Sequence, residues 1–353
     1  MHDSTSSPPR WARAADLLVF ALLVLAVAVA ATGGIRERVW GIRVSIRSAD
    51  RVLFWAAAVF ALRHVLVPHP SVIARVVRGV RVRPRAAAAF LAAAVLFVAM
   101  MAAGRSASEQ ATSRQLLFGE LRPVRLANCT LQRFGEPHDG GYLLCGNLLG
   151  AVRAGYSYGI NGYDGWGCDV SKALGAVVHQ YDCFNPIVPI CPGGATRFHD
   201  ECVADRWSRD DGRLFDTVES QIARNGDEGK AIVLKMDVEG AEWPSLPAVP
   251  DATLNRIDQL VVEFHGVNDP NYVAAVRRLK QFFYVAHVHY NNYSCAPGLE
   301  PFPASVYEVL FVSRRLARLD YARTALSRLR LVGPPSTPFA APNDPRRPDC
   351  QSR

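Results

Sequence analysis

The residues best suited to chemistry are acids that close apolar runs. Ala231 to Trp243 reads A-I-V-L-K-M-D-V-E-G-A-E-W, an apolar run of strand length that ends in Asp237, Glu239 and Glu242 around Gly240. A buried strand that delivers carboxylates at its C-terminal end puts them in the crevice over an open α/β sheet, the usual place for a site. The plain alternative is a solvated acidic turn. A second run, Arg256 to Phe264, leads to Glu263, Phe264 and His265. Asp237, Glu239 and His265 are therefore the candidate catalytic groups, with Asp237 or His265 as the expected base. His289, in the H-V-H-Y-N-N run at 287–292, is a further candidate, although at least one of His287 and His289 is expected to be simply packed.

A binding function is suggested by glycines upstream. Ala154 to Ile160 reads as a strand, followed by G-I-N-G at 159–162 and D-G-W-G at 164–167. Glycine after a first strand lets the backbone approach a ligand closely, and a following helix, here Val170 to Leu174, offers N–H groups. Gly159, Asn161 and Gly162 are the candidates, though the full G-x-G-x-x-G is missing. The next strand, Ala176 to Tyr181, ends at Asp182, 23 residues past Gly159. An acid at that spacing can hold both ribose hydroxyls of a nucleotide; a turn or capping residue is the bland reading. Asp139, in D-G-G-Y at 139–142, lies in the turn of a hairpin expected over Arg133 to Cys145 and is as consistent with a plain turn as with a ligand.

These residues need a scaffold. Short strands are expected near Ala195 to Phe198, Tyr284 to Tyr290 and Val306 to Ser313, and helices over Leu214 to Ala223 and Tyr272 to Phe283. Strands and helices alternate and two strands close the chain. That order predicts an α/β fold, a doubly wound, mostly parallel sheet with an antiparallel last strand. Residues 105–127 read as a polar linker and entry segment. The tail from Leu316 reads as helical and then, from Pro334, Pro-rich and disordered. The expected division is a membrane anchor over 1–115, the α/β domain over 116–315 and the tail over 316–353.

The anchor follows from hydropathy. Leu17 to Gly34 and Ala86 to Gly104 are charge-free runs near the length of a bilayer core, and Val52 to Val67 is a weaker run broken by Arg63 and His64. The chain of 353 residues carries a net charge of +8, but residues 1–115 hold 15 Arg and 5 acids, leaving the rest at −2. The basic excess lies beside the apolar runs, so it reads as a topology signal and no nucleic-acid partner is expected. With two spans, the 11 Arg of 35–85 face the cytoplasm and the large domain lies outside; with three spans the rule is neutral. Eight Cys without any C-x-x-C pair favour disulfides over zinc. The expected location is therefore a multi-pass membrane protein with its large domain on the extracytoplasmic or lumenal side. Asn128-Cys129-Thr130 and Asn292-Tyr293-Ser294 match the glycosylation acceptor pattern.

With these motifs in place, residues 128–313 resemble the class I S-adenosylmethionine methyltransferases, nearest to the FkbM-type and membrane-linked methyltransferase-like proteins. The likeness rests on D-G-G-Y at 139–142, Y-S-Y-G-I at 156–160, Y-D-C-F-N-P at 181–186, L-K-M-D-V-E-G-A-E-W at 234–243, V-V-E-F-H at 261–265 and H-V-H-Y-N-N at 287–292. It implies a Rossmann-like sheet of seven strands, S-adenosylmethionine as cofactor and methyl transfer to oxygen or nitrogen, with a hydroxyl of a glycan, lipid or small molecule the expected acceptor. Gly159, Asn161 and Gly162 would line the methionine part, Asp182 would take the ribose hydroxyls, and Asp237 would face the methyl group. Ser157-Tyr158 stands where many such enzymes carry an acid, and Asp139 is a candidate substitute. Some relatives use a metal, but no firm ligand spacing is visible in this chain. A glycosyltransferase and a catalytically silent binding module are the competing readings; a short-chain dehydrogenase is disfavoured because Tyr-x-x-x-Lys is absent.

Overall fold

The computed structural model describes residues 9–32, 35–39, 42–46, 49–67, 108–320 and 343–350. The chain divides into two compact units, Met1–Glu109 and Gln110–Arg353.

The larger unit is built on a seven-stranded sheet. Across the sheet the strands run Phe283–Tyr290, Val306–Ser313, Ile257–His265, Ile232–Met236, Ala154–Tyr158, Val178–Tyr181 and Thr196–His199. The last five pair in parallel, and Val306–Ser313 is antiparallel to both of its neighbours. Every residue of Ala154–Tyr158 and Ile232–Met236 is buried, as expected of parallel strands covered on both faces. Alternate side chains feed two cores: Tyr156, Leu234 and Val262 face one, and Val233, Val261 and Val178 face the other. From Ala154–Tyr158 the chain first builds outward to Thr196–His199 and then returns to the other side through Ile232–Met236. That reversal is the switch point at which the loops part and leave a crevice. The Rossmann-like α/β expectation therefore holds for this unit.

Several local expectations change. The helix expected over Leu214 to Ala223 is a strand, Arg213–Asp216, followed by a helix, Val218–Arg224. Thr217 separates them, its hydroxyl accepting the Ser220 N–H as an N-cap. Leu214 and Phe215 pair instead with Arg209 and Ser208 in a small three-stranded sheet. The helix expected from Val170 begins at Gly165, because Asp164 caps it by accepting the Gly167 N–H. A helix covers 108–120 inside the expected linker, with Leu117 and the following Leu121 fully buried.

The tail also differs. No helix starts at Leu316; Leu319 instead forms a bridge with Leu126. Residues 321–342 lie outside the described residues. Residues 343–350 are packed rather than loose: Asn343 and Asp344 are buried, and Cys350 is disulfide-bonded to Cys295. All eight cysteines are paired, the other bonds being Cys129–Cys145, Cys168–Cys191 and Cys183–Cys202.

Among its described residues the smaller unit has two helices, Arg10–Thr32 and Ala49–Leu66, and a hairpin of Ile35–Val39 with Ile42–Ile46. Among the described residues no helix is long and apolar enough to cross a membrane. Arg10, Arg13 and Asp16 occupy the start of the first helix, and Arg63 and His64 the end of the second, which shortens both apolar runs. The run Ala86 to Gly104 lies outside the described residues. Asp16 and Arg63 form a buried ion pair at 3.0 Å, while Arg10, Arg13, Asp50 and Arg51 are exposed. Leu17, Leu18, Leu23, Val24, Val27, Phe54, Trp55 and Leu62 are exposed.

Candidate functional site

A cavity of about 910 Å3 opens over the carboxyl ends of the central strands, at the switch point. Asp139, Gly159, Asn161, Asp182, Asp237, Glu239 and His265 all line it, so seven of the nine residues singled out in the sequence share one space. Gly162 and His289 do not; a β-carbon on Gly162 would face Asn185 and Ile187 beside the cavity.

The glycine loop is held by Asp182. One carboxylate oxygen of Asp182 accepts the N–H groups of Ile160 (3.1 Å) and Asn161 (2.7 Å). The other accepts those of Phe184 (2.9 Å) and Asn185 (3.0 Å). The side chain expected to bind ribose thus staples two loops together, and four backbone donors already fill its acceptor capacity. Asn161 has φ +45° and its amide oxygen accepts from Asn185 Nδ2, so its side chain is also spent on the loop. Gly159 has φ +73° and packs against the Asp237 backbone.

Carboxylates crowd the opposite wall. The Tyr142 hydroxyl lies 2.8 Å from Asp237 Oδ2 and 3.0 Å from Glu263 Oε2. A phenol has one proton for those two acceptors, so one carboxyl must also carry a proton or a counter-charge. Burial, with Asp237 and Glu308 nearby, pushes Glu263 up to about 8, which leaves it protonated at neutral pH. Burial and the same acids raise Tyr142 well above the usual phenol range, so it remains a donor. Asn291 Nδ2 donates to the other Glu263 oxygen at 2.9 Å. Lys235, buried on its strand, donates to Gly159 O at 2.7 Å and lies 3.4 Å from Asp237 Oδ2.

His265 is oriented by a buried acid. Its Nδ1 lies 3.1 Å from Glu242 Oε1, which also accepts the His265 backbone N–H. Nε2 faces outward, 4.0 Å from Asp237 Oδ1 and 3.4 Å from Glu239 Oε2. Burial disfavours charge on the ring, but the Glu242 hydrogen bond and the fields of Glu242, Glu263 and Glu239 outweigh it and push the imidazole up to about 9. That shift favours the protonated ring at neutral pH. Glu239 has φ +53° and an 88 % exposed side chain, so it borders the site without being fixed in it. His287 and His289 are both buried, and His289 Nε2 is bonded to Asn343 Oδ1; neither lines the cavity.

Other residues escaped the sequence reading. Tyr142, in D-G-G-Y, bridges Asp237 and Glu263, and Glu242, one acid of the turn after the strand, is buried against His265. Asn343 donates to Asp139 (3.1 Å) and Glu308 (3.0 Å), joining the tail to the cavity rim across about two hundred positions, and no local signal announces that. No family model, curated protein or solved structure matches this chain.

Proposed function

We propose that the chain is a membrane-associated S-adenosylmethionine-dependent methyltransferase acting on a hydroxyl of a glycan, lipid or small molecule. The observation that carries this reading is that Asp182 and Asp237, on strands either side of Ala154–Tyr158, open onto one cavity. Its volume of about 910 Å3 accommodates a nucleoside-sized cofactor together with an acceptor. Gly159 and Asn161 would hold the methionine end, and Asp182 the ribose in exchange for some of its backbone hydrogen bonds.

When bound, the cofactor supplies an electrophilic methyl group on a sulfonium. The chain's own residues then have to align the acceptor, exclude water and take a proton. Asp237 is the group for the proton, because Tyr142 and Lys235 fix its Oδ2 while Oδ1 faces the cavity side of His265. His265 and Lys235 supply positive charge beside it.

A second reading, a module that keeps the fold without turnover, draws on the saturation of Asp182 by four backbone donors. The deciding experiment is a melting-temperature series of the full chain with S-adenosylmethionine, NAD and sugar nucleotides, followed by transfer of labelled methyl to glycan, lipid and small hydroxyl acceptors. A shift with S-adenosylmethionine and label transfer supports the enzyme, and a shift without transfer supports the silent module. A shift with sugar nucleotides alone would overturn both in favour of glycosyl transfer.

The complete pairing of the cysteines supports placing the larger unit in an oxidising compartment. The outward apolar side chains of the two N-terminal helices, with Asp16 and Arg63 paired inside, support membrane association of the smaller unit.

A further inference from the structure

Asp237, Glu263 and His265 each turn one donor atom to a common point, the three atoms lying within 4.8 Å of one another. They come from two adjacent parallel strands, Ile232–Met236 and Ile257–His265, so the sheet register fixes their spacing. We infer that these three side chains form a binding site for a first-row divalent cation, of the Mn2+ or Zn2+ kind, on the cavity wall.

The donors are supported from behind in the way metal ligands are. A metal-binding imidazole usually gives its second ring nitrogen to a carboxylate, which fixes the ring and raises its basicity. His265 Nδ1 does this with the fully buried Glu242, which aims Nε2 at Asp237. Glu263 is held by Asn291 on one oxygen and Tyr142 on the other. Lys235 and Tyr142 both sit on Asp237 Oδ2, which leaves Oδ1 for the cation. The exposed Glu239, 3.4 Å from His265 Nε2, is placed to add a fourth arm from the solvent side.

The donor set selects the class of ion. Two carboxylates and one imidazole suit Mn2+, Zn2+ or Fe2+ better than Mg2+ or Ca2+, which take oxygen ligands. Ligand bonds of about 2.0–2.2 Å require the three donors to draw closer together, and Asp237, partly exposed, is able to move. A cation takes the place of the proton on Nε2 and adds positive charge beside Asp237 and Glu263. On the methyltransferase reading the cation would polarise the acceptor hydroxyl in place of the His265 charge, with Asp237 Oδ1 a ligand rather than the base, but cation binding itself is independent of that reading.

The test uses the tag-free, metal-stripped full chain in detergent and no cofactor, so that failure of the methyltransferase reading leaves it intact. Mn2+ is titrated with loss of the free-ion paramagnetic signal as readout, and Zn2+ by calorimetry. One equivalent should bind, with affinity falling at least about tenfold in Glu263→Gln and in His265→Ala. Asp251→Asn, remote from the cavity, should bind as the parent does. Melting temperatures of the stripped proteins check folding, and Asp237→Asn, at a partly exposed position, replaces any variant that does not fold. Absence of stoichiometric binding of either ion, or binding that survives the substitutions, overturns the site.

Discussion

Gly159 stands so close to Asp237 that a β-carbon built on it would fall 1.6 Å from the Asp237 carbonyl oxygen. The two residues end adjacent parallel strands, and Lys235 bonds to the Gly159 carbonyl from the Asp237 side. The glycine loop and the acidic strand end are therefore one mechanical unit. Gly159→Ala adds a left-handed backbone penalty of about 1–2 kcal/mol to a clash with backbone that cannot swing away. We expect a loss of more than ~3 kcal/mol in urea unfolding. Gly150→Ala, whose added carbon meets nothing within 4 Å, should be near neutral. Equal effects of the two substitutions would show that the close approach is not rigid.

Asp182→Ala should be costly in two ways. It strips partners from four backbone N–H groups and frees the loop that would hold a cofactor. Unfolding should lose roughly 1–2 kcal/mol, since hydrogen bonds to a charged group are lost but the exposed donors find water. Binding of S-adenosylmethionine should also vanish. Full stability in the variant would mean that the loops hold without the staple.

The contrast between Asp182 and Asn343 shows how far the sequence could be read. Asp182 was found because strand, glycine turn and spacing are local patterns, and the same patterns gave the parallel sheet and the antiparallel Val306–Ser313 strand. What Asp182 does was not legible, since its four donors come from loops whose path depends on the folded backbone. Leu214, Phe215, Val218 and Ile222 stand at helical spacing, yet the cap at Thr217 starts the helix only at Val218 and leaves Leu214 and Phe215 to a strand. Asn343 and Glu308 meet across 35 positions, and the disulfide at Cys350 fixes the tail against the domain; neither relation leaves a periodic trace.

Asn343→Leu should therefore behave as a core mutation despite its place in a Pro-rich tail. It leaves Glu308 and His289 without their partner in a buried setting. The expected loss is about 2–4 kcal/mol, measured by chemical unfolding. Reduction of the Cys295–Cys350 bond should lower the melting temperature further, because it releases a closure of 55 residues. A neutral Asn343→Leu would show that the tail does not depend on these bonds.

Acid should destabilise the larger unit through its buried histidines. Burial depresses His179, although Asp227 opposes it, and burial with the neighbouring His179 lowers His199 to about 4. In the unfolded chain both titrate near 6.5. Between about 6.5 and about 4 the unfolded state binds more protons, so stability is fully present above that window and falls as pH drops through it. His199→Gln should flatten the decline, read as the unfolding midpoint from pH 7 to 4. An unchanged slope would place the acid sensitivity elsewhere, for example at His287, which burial lowers to about 3.

The two N-terminal helices invert the usual arrangement, with Asp16 and Arg63 paired inside at 3.0 Å and Leu17, Val24, Phe54 and Trp55 turned outward. Water disfavours such a surface, whereas lipid favours it and keeps the ion pair desolvated. The full chain should therefore stay in the membrane pellet through alkaline carbonate and high salt and leave only with detergent. Arg63→Leu should take the guanidinium away from the buried Asp16 and lower recovery of folded protein, while the double change Asp16→Leu, Arg63→Leu should restore much of it, since removing both charges of a buried pair is often neutral. Release by carbonate, or a double variant no better than the single one, would mean that the apolar face is covered by protein rather than lipid.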